Sequence, residues 1–256
     1  MRYPWNPPVI QGVIERRILA NFRVDPQTLA SFLPPPFRPQ LVQGYGIAGI
    51  CLIRLAQVRP RGWPGWIGLK SENAAHRAAV EWEEEGTLRQ GVYVKRRDTV
   101  SRLNSLSGGR LFPGVHHHAR FQVEESAEQL SVAMASDDGQ AALSICGRVT
   151  DRWPATSIFS SVDEASAFFA AGSLGYSDVA DGSRFQGMEL QCEAWEVEPL
   201  EVAEVRSSLF DDSALFPPGS VEFDNALLMR GIEHQWHARP DLCCTSAATG
   251  DLAASR

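Results

Sequence analysis

Lysine is almost missing from this chain. Among 256 residues only Lys70 and Lys95 carry a side-chain amine, and arginine supplies the rest of the 24 basic residues. A Schiff-base mechanism would therefore have two candidate nucleophiles. Positive charge is also short overall: the net charge is −7 with no basic stripe, which argues against a nucleic-acid partner. Long apolar runs are absent, the longest being Ile47 to Ile53, far too short to span a bilayer. The first residues lack the apolar segment of a secretory signal, so a cytoplasmic location without membrane contact is expected. Cysteine is sparse and irregular. Five residues, with Cys51, Cys146 and Cys192 in strand-like runs, suit reduced thiols rather than a disulfide framework, and the Cys243-Cys244 pair reads as incidental.

What the chain has in quantity is strand pattern. Alternating or wholly apolar runs recur over residues 17–24, 40–58, 74–84, 88–97, 115–124, 129–136, 141–149, 188–197 and 201–209, and at the end of 221–237. Helical signals are few. Asp25-Pro26 opens one with Leu29, Phe32 and Leu33 as its stripe, Asp98 or Thr99 could cap a second over Val100, Leu103 and Leu106, and Ser161 to Glu164 is a capping box ahead of Phe168 and Phe169. Residues 175–187 read as loop, and Asp138-Gly139 as a hairpin turn. The expectation is a mainly β (α+β) fold: one antiparallel, barrel-like domain over residues 1–244 with an extended N-terminal arm, followed by a disordered tail at 245–256.

The centre of the chain is its most reactive stretch. Gly108-Gly109 and Pro113-Gly114 break the backbone, and His116-His117-His118 begins a strand. On a strand His116 and His118 share a face about 7 Å apart, so either could serve as a general base near neutral pH. Arg97, Arg102 and Arg110 flank them, and arginine suits bidentate carboxylate recognition. Glu81 and Glu83 share a strand face and would transfer protons if buried.

Four phrases carry a resemblance: Phe22-Arg23-Val24-Asp25-Pro26 with Leu29 and Phe32-Leu33-Pro34; Arg97-Asp98-Thr99 with Ser101 to Asn104; Gly109 to Pro113; and Glu193 to Leu200. Over about residues 15 to 240 the chain resembles the YqjF-like family of uncharacterised proteins, grouped with the acetoacetate decarboxylase-like superfamily. The resemblance implies a cone-shaped antiparallel β-barrel with an interior ligand pocket. Acetoacetate decarboxylases carry Phe-Pro-Lys-Lys, whose first lysine forms the Schiff base; here Phe112-Pro113 runs into Gly114-Val115. Imine chemistry is not carried over unless Lys95, whose neighbours Arg96 and Arg97 would lower its pKa, or Lys70 supplies the amine.

The function expected is a pocket for a small carboxylic or keto acid, with no cofactor. A metal-dependent hydrolase is the alternative, using His116 and His118 with His234, His237 or Glu233. A non-enzymatic ligand-binding barrel is the third reading. Exposed strand edges leave room for a homodimer.

Overall fold

The computed structural model describes residues 8–102 and 114–243. Thirteen strands among them join one sheet. They are β1 (Ile10–Val24), β2 (Arg38–Pro39), β3 (Leu41–Val42), β4 (Tyr45–Pro60), β5 (Leu69–Glu84), β6 (Thr87–Thr99), β7 (His116–Glu125), β8 (Gln129–Ser136), β9 (Ala142–Val149), β10 (Leu174–Asp178), β11 (Arg184–Cys192), β12 (Glu198–Ser207) and β13 (Val221–Cys243). Two α-helices accompany them, α1 (Pro26–Phe32) and α2 (Val162–Ala171).

Both helices start where their caps predict. The Asp25 carboxylate accepts the Thr28 N–H at 2.8 Å, and the Ser161 hydroxyl accepts that of Glu164 at 3.2 Å. The reciprocal half of the second cap is displaced by one residue, since Glu164 takes the Ser160 N–H at 2.6 Å.

The pairings run in circuits. β13, β1, β4, β5 and β6 are consecutive neighbours, and two different sets of strands lead from β6 back to β13. One return is β7, β8, β9 and β12; the other is β10 and β11. The shared strands are therefore covered on both faces. Alternation sends Ile18, Ala20 and Phe22 of β1 into a core with Val132, Met134, Leu143 and Ile145 of β8 and β9. Leu19 of β1 and Cys51 of β4 point the other way, into a core roofed by Ala165 and Phe169 of α2.

Three sequence expectations need correction. The sheet is mixed rather than antiparallel: β10 runs parallel to β6 through Gly175 and Tyr176, and β7 runs parallel to β6 through His116 to His118. Residues 175–187 are also not a loop, because β10 and the start of β11 lie there, paired from Leu174↔Glu189 to Asp178↔Phe185. Their glycines hid the strand pattern and have a packing cause. A Cβ on Gly187 would sit 2.7 Å from the Tyr176 ring, so only glycine lets that ring lie flat on the neighbouring strand. Asp98, read as a helix cap, is a strand residue, and most of the helix expected after Thr99 lies outside the described residues.

Candidate functional site

Three arginines converge on one partly open cavity of about 150 Å³ on the side of the β10–β11 circuit. Register explains the convergence. Leu19, Cys51, Ala75 and Arg97 are successive cross-strand partners on β1, β4, β5 and β6, so they share one face. Arg17 lies two residues from Leu19, and Arg77 two from Ala75, on that same face. Phe169, Trp195, Trp236, Met188 and Leu190 complete an apolar wall.

Each guanidinium is held by a neutral group. Arg17 Nε donates to Cys51 Sγ at 3.3 Å, and the guanidinium lies 5.5 Å from the centre of the Trp195 ring. Arg77 Nη2 donates to Asn21 Oδ1 at 2.6 Å and stacks 4.9 Å from the centre of Phe169. Arg97 Nε donates to Ser177 Oγ at 3.1 Å. Among the described residues, none of the three forms an ion pair. Burial pushes Arg77 and Arg97 down to about 10, which leaves both charged at neutral pH. Asp98 borders the same cavity, but both of its oxygens accept from Arg96, at 2.9 to 3.2 Å.

His116 is the histidine that reaches this cavity. Burial, with Arg97 beside it, pushes its imidazole down to about 3, so it is neutral at pH 7. Its position comes from the backbone before it. Gly114 has φ +81°, a Cβ there would meet Ser177 Cβ at 2.7 Å, and its N–H donates to Gln186 Oε1 at 3.1 Å. That corner lays β7 alongside β6 with His116 opposite Arg97.

The other candidates fall elsewhere. His118 does not line the cavity; its Nδ1 meets Asp137 at 2.7 Å, and His117 Nδ1 meets Asp138 at 2.9 Å. The two histidines part because β7 leaves β6 at His118 and pairs with β8 from Ala119 onward. Glu81 pairs with Arg38 at 2.8 Å, and Glu83 is exposed. Arg102 is exposed, close enough to Asp137 to hold its carboxyl down. Arg110 lies outside the described residues. Neither lysine borders the cavity: Lys95 is exposed, and Lys70 bonds Glu15 at 2.7 Å.

His234 and Glu233 line a separate cavity with Gln57 and Arg59, and His237 pairs across to Glu189. Among the described residues, no three histidine, cysteine, aspartate or glutamate side chains cluster closely enough to hold a metal ion. Sequence reading passed over Arg17 and Arg77. Their signal was a cation at the start of an apolar run, Arg17 before Ile18-Leu19-Ala20 and Arg77 before Ala78-Ala79-Val80.

Among solved structures, the chain is similar to an acetoacetate decarboxylase from Legionella pneumophila at 11% identity and TM-score 0.58, covering 94% of this chain and 93% of that one. It is similar to the enduracididine biosynthesis enzyme MppR complexed with pyruvate at 14% identity and TM-score 0.57, covering 94% and 91%. An acetoacetate decarboxylase-like enzyme from Sphingomonas wittichii RW1 aligns at 13% identity and TM-score 0.55, covering 93% of each chain. At these identities the likeness establishes the fold, which is acetoacetate decarboxylase-like. No curated protein matches in sequence. Residues 13–230 match the model of DUF2071, an uncharacterized conserved protein, and the chain belongs to that family.

Proposed function

We propose that the cavity binds a small carboxylic or keto acid. The observation that carries this reading is the convergence of Arg17, Arg77 and Arg97 on one cavity without a carboxylate partner among the described residues. Guanidinium groups cannot shed their charge by deprotonation, so they gain most from an anion that replaces lost water. Planar carboxylates match the guanidinium fork. The strand circuit around the cavity supports reading it as the wall of the cone-shaped barrel that the sequence resemblance implies. The pyruvate named for MppR makes a keto acid the first ligand to try.

His116 gives the site a group that can exchange a proton. It is neutral while the cavity lacks an anion, and a carboxylate bound beside Arg97 would raise its affinity for a proton. The chemistry this favours is proton transfer next to a carbonyl polarised by Arg97, with no covalent imine, since no lysine lines the cavity. Titration calorimetry with pyruvate and acetoacetate tests the reading. Dissociation constants in the millimolar range or tighter are expected, weakened by about tenfold or more in Arg97→Gln. No heat from either acid, or equal binding by the variant, would remove the cavity from consideration.

A further inference from the structure

Building on that reading, we infer that the ligand is a small dicarboxylate rather than a monocarboxylate. Charge balance in a partly buried cavity carries the inference. Arg17, Arg77 and Arg97 each donate to a neutral partner, the Cys51 sulfur, the Asn21 amide and the Ser177 hydroxyl. The one acid at the cavity, Asp98, is taken by Arg96. Outside the described residues, 1–7 and 103–113 contain no aspartate or glutamate, and 244–256 contain a single acid, Asp251. A monoanion would leave at least two guanidinium charges without a counter-charge in a low-dielectric space, whereas a dianion leaves one.

The arginines are also spread along the cavity. Arg17 is on β1 and Arg97 on β6, three strands apart, about 14 Å at ordinary strand spacing. Arg77 is on β5, next to β6, and reaches back to Asn21 of β1. Two carboxylates at the ends of a short carbon chain can address such a spread, and Phe169, Trp195 and Trp236 give the chain an apolar wall. A cavity of about 150 Å³ has room for about five waters at liquid density, which limits the ligand to a small diacid of four or five carbons.

The test uses matched pairs on the full chain by titration calorimetry: butyrate against succinate, and 2-oxobutyrate against 2-oxoglutarate, with inorganic phosphate and sulfate as dianions lacking a carbon chain. The expected result is that each diacid binds at least about tenfold tighter than its monoacid, and tighter than phosphate or sulfate. In Arg97→Gln the preference should fall to within about threefold, and circular dichroism confirms that the variant is folded. Monoacids that bind as tightly as diacids would overturn the inference while leaving a carboxylate pocket in place. Phosphate or sulfate binding as well as succinate would overturn it in favour of an inorganic anion site. Failure of every anion to bind would overturn both this inference and the function it rests on.

Discussion

The two faces of the β1–β4–β5–β6 patch treat arginine in opposite ways. On one face, Arg16 is 1% exposed and bonds Glu72 at 2.6 Å and Glu125 at 3.2 Å, while Arg54 bonds the same two carboxylates at 2.5 and 3.0 Å. Arg96, further along, is held by Asp98 and Asp138. On the other face, Arg17 and Arg97, the sequence neighbours of Arg16 and Arg96, meet only neutral acceptors. Strand alternation places the members of each pair on opposite faces. The first face is consistent with structure alone, because each buried cation has its anion. The second is costly as structure and is explained if the missing anion is a ligand.

Substitutions can break this comparison. The largest effect is expected at Arg16→Met, which leaves Glu72 with Arg54 and Glu125 with Arg54 and the more distant Arg230. Unfolding in urea should reveal a loss of about 3 kcal/mol. Asn21→Ala comes next. Asn21 links Arg77 to Asn225 at 2.8 Å, and Asn225 in turn reaches the Asp224 carboxylate at 2.6 Å, so its loss unpairs buried groups and should cost about 2 kcal/mol.

Acid should weaken the protein through its buried histidines. Burial holds His76 and His234 down to about 4, and His116 to about 3. In the unfolded chain each protonates near 6.5. Stability is therefore complete above about pH 6.5 and falls as the pH drops toward those folded values, by up to about 1.4 kcal/mol per pH unit for each histidine. Urea midpoints at pH 7, 6 and 5 should show a shallower fall in His116→Asn than in the parent. The smallest effect is expected at His118→Ala. Its contact with the half-exposed Asp137 is solvent-screened, and the melting temperature should stay nearly that of the parent.

Much of the fold was legible. The strands between residues 17 and 149, α1 and α2 announced themselves through alternation and capping residues, which are local signals. β10 was not legible, because Gly175 and Gly187 serve contacts with strands distant in sequence. The site was half legible. Arg97 and His116 stood out by their company, and the structure brings them to one cavity. His118 looked equivalent to His116, since no local pattern marks the residue at which a strand exchanges one neighbour for another. Arg17 and Arg77 each follow another polar residue, Arg16 and His76, so little in the local pattern marked them, and only the register of four strands aligns them.

Whether the cavity arginines serve a ligand or the fold is read most directly from the melting temperature of the parent and of Arg97→Met, each with and without saturating succinate. Arg97→Met is expected to melt at or above the parent temperature when no ligand is added, and succinate to raise the melting temperature of the parent alone. An Arg97→Met protein that melts well below the parent, yet is still stabilised by succinate, would contradict a ligand-binding role.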